Sequence, residues 1–457
     1  MPSGFSGIDI AARALRTFEA ALNVTGHNIA NVNTRGYSRQ RLEIGQTPPD
    51  LKWTLSGLTS FGTGTFVNGV LRIRDIFLDG RYLEVSSEGS RSQTMRNALQ
   101  VVEQILGEPG ANAVSGALDA MFDSWNNLAA NPADDGARFD LRMKAATLVS
   151  RIRDVHERLV TQDAMLRSQV TDTIGQINTL GQRIQELNEE IRRQTAAGAD
   201  PNDLLDQRQV AIEDLSKLVN LRTQPMQDGT LQVFIHNHTL VGQAEFFPLP
   251  SNYDAATSTV TDGVRVTTIS GGRLAGLFGS LNAVASYRAQ LDSFVNETRT
   301  QINTLHQTGI NLNGTTGIDF FQGTNGAADL DLSGEVKADP RNIAAGASGA
   351  PGDGSVALAI ARLREQPLGA LGGRSLGQYY ADLVSRVGQE SLTFQQKLEV
   401  QSSLLQHIEQ QRQSVAGVNL DEELSNMVKY QRAFQSAAKV LSVLDQTTEE
   451  LIKAFGR

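Results

Sequence analysis

The sequence predicts a mainly α chain with a small β-rich insert. The expected architecture is nested and discontinuous: long helices in an elongated bundle, with the N- and C-terminal helices pairing as a coiled coil. Three observations carry that expectation. Apolar residues recur every three or four positions along most of the 457 residues, which lines one face of a helix. Alternation of apolar and polar residues, the mark of a strand, appears after Val219. Both ends carry an apolar stripe of their own, and each stripe needs a partner.

The first stripe, Ile8, Ala11, Leu15, Phe18, Leu22, Thr25, Ile29 and Val32, predicts a helix over 8–32. Asn31 and Asn33 suit its C-terminal cap, and Gly36 can take positive φ. Tyr37–Ile44 reads as extended, Pro48-Pro49 breaks it, and Thr65–Arg74 reads as a second extended piece. Helices follow at 75–106, closed by Gly107-Glu108-Pro109-Gly110, and at 113–130, closed by Asn131-Pro132. A very long one covers 136–194 on the stripe Leu148, Ile152, Val155, Leu159, Leu166, Val170, Ile174, Ile177, Leu180, Ile184, Leu187 and Ile191. Another covers 202–218.

Leu231, Val233 and Ile235 alternate, as do Val264, Val266 and Ile269, with Asp228-Gly229 and Asp262-Gly263 at turns. Helical spacing returns with Leu274, Leu277, Leu281, Val284, Leu291, Val295, Ile302 and Leu305. Residues 313–355 read as a loop rich in Gly, Asp and Ala. A helix over 375–415 carries Leu376, Tyr380, Leu383, Val387, Phe394, Leu398, Leu405 and Ile408. After Gly417 the last stripe is Leu420, Leu424, Met427, Phe434, Ala437, Leu441, Leu444, Leu451 and Phe455.

The length suggests about three domains at roughly 150 residues each. The expected division is a terminal coiled-coil domain (1–40 and 416–457), a long-helix bundle (41–218 and 273–415) and a β-rich outer domain (219–272). The net charge of −9 speaks against a nucleic-acid partner, which needs a basic face. The absence of cysteine excludes disulfides, thiolate metal sites and cysteine nucleophiles. No apolar run reaches membrane-spanning length, and the first twelve or so residues lack a secretory n-region and h-region. These features alone suggest a cytosolic protein.

Chemistry-bearing motifs are weak. Asp329-Leu330-Asp331-Leu332-Ser333-Gly334 opens like a calcium loop, but Pro340 stands where a bidentate Glu belongs. His236 and His238, two apart on an expected strand, share a face as two zinc ligands would, yet no third ligand lies near. Gly62-Thr63-Gly64 is a turn rather than a phosphate cradle, and Asp134-Asp135 suits a helix N-terminus better than paired acid–base work. No catalytic, cofactor or metal residue is expected, and an enzyme such as a cell-wall hydrolase would need an acidic pair in a cleft that the sequence does not display.

The polar residues around the two terminal stripes are more specific. Asn28-Ile29-Ala30-Asn31-Val32-Asn33-Thr34-Arg35-Gly36-Tyr37 closely resembles the N-terminal signature of the bacterial flagellar rod, hook and hook-associated axial proteins. Asn419-Leu420-Asp421-Glu422-Glu423 followed by Tyr430-Gln431-Arg432-Ala433-Phe434 is similar to the C-terminal motif of the hook–filament junction branch of that family. Leu204-Leu205-Asp206-Gln207-Arg208, Asp339–Ala344 and Gly352–Leu358 agree with it. The stretch between Phe321 and Asp339 is short where many relatives insert a larger β domain.

The resemblance implies a structural, non-enzymatic subunit of the flagellum, exported unfolded through the type III apparatus with an export chaperone and working outside the cell. Its implied partners are like subunits in a ring, the hook protein and hook-associated protein 3, with no nucleic acid and no membrane insertion. A hook or distal rod protein is the alternative within the class. The implied assembly motif is Asn28, Asn31, Asn33, Thr34, Gly36 and Tyr37 at one end. At the other it is Asn419, Leu420, Glu422, Glu423, Tyr430, Gln431 and Phe434. Because the terminal stripes await neighbours, amide hydrogen exchange in the free protein is expected to be much faster across 8–32 than across the internal helices. Equal protection would show that the N-terminal helix needs no second subunit.

Overall fold

The computed structural model describes residues 5–54, 57–108, 110 and 113–455; Pro109 and the side chain of Phe455 lie outside that description. The first part runs α1 (Phe5–Ala30), β1 (Gln40–Gln46), β2 (Asp50–Thr54), β3 (Gly57–Phe61), β4 (Thr65–Arg72) and α2 (Ile76–Leu106). Then come α3 (Val114–Ala130), α4 (Asp135–Ala196), α5 (Asn202–Leu218), β5 (Arg222–Pro225), β6 (Leu231–Ile235), β7 (His238–Val241), β8 (Asn252–Asp254), β9 (Thr259–Thr261) and β10 (Val266–Thr268). The last part is α6 (Gly272–His306), β11 (Phe321–Gln322), β12 (Asp331–Leu332), α7 (Gly334–Ala338), α8 (Ser355–Arg362), α9 (Leu376–Ala416) and α10 (Leu420–Phe455). The fold is mainly α with small sheets, and the helix bounds follow the apolar stripes closely.

The chain forms two compact units. One comprises residues 1–87, 176–249 and 401–457, the other 88–175 and 250–400. Three of their boundaries fall inside the long helices α2, α4 and α9, and the fourth, after Leu249, falls in the loop between β7 and β8. The segment expected as one β-rich insert holds two separate three-stranded antiparallel sheets, β5-β6-β7 in the first unit and β10-β9-β8 in the second.

In the first unit α1 lies along α10, and β1 and β4 pair antiparallel beside α1. The ribbon shifts register at Glu43/Ile44, where Glu43 faces Gly69 and Ile44 faces Val67. Gly69 is needed there because a Cβ would sit 2.9 Å from the Asp200 carboxylate, which accepts the Val70 N–H at 2.7 Å. Pro48-Pro49 ends β1 as expected, but the chain resumes at once in the β2–β3 hairpin, which the sequence reading left out.

The two histidines offered as sharing a strand face do not do so. His236 occupies the tight turn between β6 and β7 with φ of 51°. Two-residue hairpin turns demand positive φ at a central position, which takes the side chain off the strand. His238 opens β7, and its Nε2 lies 3.0 Å from the Phe247 carbonyl oxygen. Val264 and Val266 alternate as expected but face outward, while Thr267 and Ile269 are buried.

The second unit holds the larger apolar core. The Leu148, Ile152, Val155, Leu159, Leu166, Val170 and Ile174 stretch of α4 is fully buried, as is the α6 stripe apart from Leu305. Region 313–355 is loop punctuated by β11, β12, α7 and 3-10 turns. Its order comes from side chains that serve backbone groups. Asn303 accepts N–H groups of Phe320 and Phe321 and donates to the Phe321 carbonyl at 2.8 Å. The Asp329 carboxylate accepts from the Thr324 and Asn325 amides. Asp134 accepts the Gly136 N–H at 2.8 Å at the start of α4, and Asp135 pairs with Arg341.

At the centre of this unit His306 is buried between Trp125 and Phe320, with ring centroids 6.3 and 5.5 Å away. Its Nε2 accepts the Ala344 N–H at 2.8 Å, so the proton sits on Nδ1, which donates to the Ile318 carbonyl at 2.6 Å. Burial pushes the imidazole pKa down to about 4. A histidine whose folded pKa is depressed contributes stability that is complete above about pH 6.5 and fades as pH falls towards 4. Chemical denaturation between pH 7 and 4 is expected to show wild type losing stability relative to His306→Gln by about 3 kcal/mol, at 1.36 kcal/mol per pK unit. Parallel curves for the two proteins would refute this.

Candidate functional site

The segment that follows α1 doubles back over α5 and meets the first turn of α10, all within the first unit. α1 stops at Ala30 because Asn31 turns its amide onto the His27 carbonyl at 3.0 Å. Thr34 bonds the Asn31 side chain at 3.0 Å, and Gly36 then takes a φ of 79°. A Cβ on Gly36 would lie 2.1 Å from the Val210 side chain, so only glycine lets the loop touch α5.

Asn28 is the hub. Its side chain is buried, and its Nδ2 donates to the Gln40 carbonyl at 2.9 Å and to Glu423 Oε2 at 3.1 Å. Its Oδ1 accepts the Gln40 N–H at 2.9 Å and the Tyr37 hydroxyl at 2.8 Å. One carboxamide therefore ties together α1, the returning loop, β1 and α10. Arg39 completes the clasp: its Nε donates to Glu423 Oε1 at 2.7 Å and its Nη2 to Glu422 Oε1 at 2.9 Å. Its backbone N–H also reaches the Ala416 carbonyl at 2.9 Å. Burial pulls the Arg39 pKa down, and Glu422 and Glu423 more than offset that.

On the other side, Asp203, Asp206, Val210 and Asp214 occupy one face of α5 at spacings of three and four. Asp206 accepts the Ser38 N–H at 2.9 Å and the Ser38 hydroxyl at 2.7 Å. Burial raises its pKa, opposed by Ser38, Arg72 and Arg74. Asp203 meets Gln40 at 3.0 Å and His27 at 3.2 Å, and Arg35 reaches Asp214 at 2.6 Å. Burial, with the negative charges of Asp203, Asp206 and Glu423, raises the Tyr37 pKa. Tyr37 also stacks edge-on with His27 at 5.4 Å.

A second knot of charge lies beside the first. Arg412, near the end of α9, donates to Asp79 at 3.0 Å, to Glu409 at 3.1 Å and to Glu213, and stacks over Tyr82 at 4.4 Å. Arg74 grips Asp79 at 2.6 and 2.9 Å. Asp79 and Glu213, each shared by Arg74 and Arg412, thereby join the end of the β1–β4 ribbon and the start of α2 to α5 and α9. Two cavities adjoin these knots, of about 280 and 540 Å³, lined by Arg35, Tyr37 and α5 residues among others. Among the described residues no group of three His, Asp or Glu side chains is placed to hold a metal. The arrangement is a fastener: its polar groups are spent on one another.

The implied assembly residues fall into three groups. Asn28, Gly36, Tyr37, Glu422 and Glu423 meet in the clasp. Asn31 and Thr34 close α1, and Asn419 caps α10 by accepting the Asp421 and Glu422 amides at 3.0 and 3.3 Å. Asn33, Leu420 and Gln431 are exposed, and Tyr430 and Phe434 are half-buried further along α10. The implied assembly motif leaves out Ser38, Arg39, Arg74, Asp203, Glu213 and Arg412, all of which the structure brings into the two knots. The acidic face of α5 set against Arg35 and Arg39 was the available signal.

The geometry defines a class: a helical structural subunit whose N- and C-terminal segments are clasped together, as in the flagellar axial proteins. Three family models match it: the flagellar hook-associated protein FlgK helical domain at residues 99–321, the flagellar basal body rod FlgEFG protein C-terminal region at 409–454, and the flagella basal body rod protein at 8–37. The chain is similar along nearly its whole length to flagellar hook-associated protein 1 (FlgK), a structural protein of the flagellum. It is 27% identical over 503 residues to flagellar hook-associated protein 1 of Bacillus subtilis (strain 168), covering 100% of this chain and 99% of that protein. To the Salmonella typhimurium protein of the same name it is 25% identical over 556 residues, covering 97% and 99%. Its fold is similar to that of the flagellar hook junction protein FlgK from Burkholderia pseudomallei, with TM-score 0.64 at 16% identity, over 74% of this chain and 100% of that one.

Replacing Asn28 by Ala strands the Tyr37 hydroxyl and both Gln40 backbone groups, and is expected to cost about 2–4 kcal/mol in urea unfolding. Gly36→Ala is expected to destabilise by more than about 1 kcal/mol, and Val210→Ala in the same chain should recover only part, since the positive φ remains. A neutral Gly36→Ala would show that the loop does not need this conformation.

Proposed function

We propose that this chain is the subunit of the ring that joins the flagellar hook to the filament, outside the cell. The clasp of Asn28, Arg39 and Glu423 is the observation that carries the reading, because it fixes both terminal helices as one paired unit ready for neighbours. The match of 99–321 to the FlgK helical domain favours the junction over other axial positions. Relatives along nearly the full length carry the name hook-associated protein 1.

In this reading residues 1–40 and 416–457 form the inner layer, 41–218 and 273–415 the next, and 219–272 face outward. The assembly residues act in two ways. Asn28, Gly36, Tyr37, Asn419, Glu422 and Glu423 shape the terminal unit; Leu420, Tyr430, Gln431 and Phe434 on α10 meet adjacent subunits. The partners are like copies, the hook protein on one side and hook-associated protein 3 on the other. The chain leaves the cell through the flagellar type III system with its chaperone.

A hook or distal rod position is the second reading, favoured by the rod-type models that match both ends. Immunogold labelling of isolated flagella separates the two. A single cluster at the distal end of the hook is expected, absent in a strain lacking the gene. Label spread along the hook, or below it, would replace the junction reading with the rod or hook one.

A further inference from the structure

The run Leu204-Leu205-Asp206-Gln207-Arg208 lies in α5, and the clasp uses its aspartate but not its arginine. Arg208 is 9% exposed, and its Nη1 donates to Asn188 Oδ1 and to the Gly229 carbonyl oxygen, both at 2.8 Å. Both of these partners are neutral. Among the described residues the one charge that acts on this guanidinium is another cation, Arg72. Burial and that repulsion pull the Arg208 pKa down to about 10.

Arg72, at the end of β4, does little to relieve the imbalance. Burial lowers its pKa against the pull of Asp206, and the Arg74 charge lowers it further. Its Nη1 is buried 3.4 Å from Asp206 Oδ1 without forming a hydrogen bond. That oxygen already accepts the Ser38 hydroxyl at 2.7 Å. Proteins seldom bury an ion without an opposite charge, because the lost hydration is not recovered.

A second observation is independent of these charges. Gln185 of α4 is 7% exposed, and both polar atoms of its amide are buried without a partner. Buried amides are almost always hydrogen-bonded. Gly181, Gln185 and Asn188 fall on one stripe of α4. Gly181 faces β7, where a Cβ would lie 3.1 Å from the Leu240 side chain. Asn188 faces β6, accepting the Leu231 N–H at 3.1 Å, and holds Arg208. The Gln185 amide between them is therefore aimed into the layer that Arg208 enters.

We propose that Arg208 and Gln185 bind one small monovalent inorganic anion, a halide such as chloride, inside the first unit. Arg208 supplies the charge and the N–H groups not spent on Asn188 and Gly229, and Gln185 Nε2 donates from α4. Arg72 adds to the positive potential. One negative charge matches the one guanidinium that lacks a carboxylate, whereas a phosphate dianion would overshoot it and meet Asp206 nearby. Gln185 Oε1 takes a water at the side of the ion. The bound ion ties α4, α5 and the β5–β6 turn together, so its concentration sets part of the stability of this unit. None of this depends on where in the flagellum the chain sits.

The test uses the full chain and chloride itself, followed by the line width of the chloride NMR signal. Saturable broadening that bromide reverses is expected with wild type. Arg208→Met is expected to abolish it, and Gln185→Leu to weaken binding roughly tenfold, as the loss of about one hydrogen bond does. Gln185→Leu replaces an unpartnered amide with an apolar group of similar size, so it keeps the test alive if Arg208→Met does not fold. Crystals grown in bromide should show an anomalous peak against Arg208. No saturable broadening with wild type, equal affinity in wild type and Gln185→Leu, or bromide peaks that leave Arg208 bare would each overturn the proposal.

Discussion

The Asn28 carboxamide is the interaction on which the arrangement of both chain ends depends. Asparagine is the side chain that can do this. It offers two donors and an acceptor oxygen in one rigid plane, and each is used on a different segment: α1 carries it, Gln40 and Tyr37 bracket it, and Glu423 meets it from α10. A carboxylate there would face Glu423 with like charge, and an apolar residue would leave the Gln40 groups without partners in a buried place. Glu423 in turn can be buried because Arg39 neutralises it. Remove the amide and the reasons for the loop path, the start of β1 and the seat of α10 fail together.

The clasp explains how paired ends and unfinished ends coexist. On α1 the residues buried against the chain are small or polar: Ala11, Thr17, Ala21, Thr25 and Asn28. The large residues Leu15, Phe18, Leu22 and Ile29 are half-buried. Small residues allow close approach of α10 and the β1–β4 ribbon, while bulk is kept at the margin where other subunits would complete the burial. Among the described residues of the α10 stripe only Ala437 is fully buried, and Leu420, Leu424 and Leu451 are exposed. A structural protein of the flagellum has use for that division. The polar clasp gives the ends a defined geometry, and the apolar surplus gives a driving force for association.

Particular residues mark what was legible. The α4 stripe reads as buried from spacing alone, and it is, apart from Leu180. The start and end of α5 were readable because Pro201 and Val219 bound a short, regular pattern. The β2–β3 hairpin was missed because its strands alternate weakly and follow a proline pair that signals a break. His236 was misplaced because a tight turn interrupts a run that otherwise alternates. The Asn-rich signature was visible as unusual, since a helix end needs one cap and this one has three asparagines. Its meaning was hidden, because Asn28 and Glu423 are 395 positions apart and nothing local pairs them.

By itself the sequence determined where the helices run, where the chain turns, and which polar residues stand out at the ends. These are local matters: periodicity, caps and glycine at positive φ act over a few residues and leave their record in the order of side chains. Only the tertiary structure decided which apolar stripes are satisfied within the chain. The stripes of α4 and α10 look alike as sequence, yet one is a core and the other a surface, because burial depends on what lies opposite. The tertiary structure likewise assigned Asn28 to Glu423, Arg39 to both glutamates and Ser38 to Asp206. Hydrogen bonds across hundreds of residues carry no spacing that a linear pattern can express.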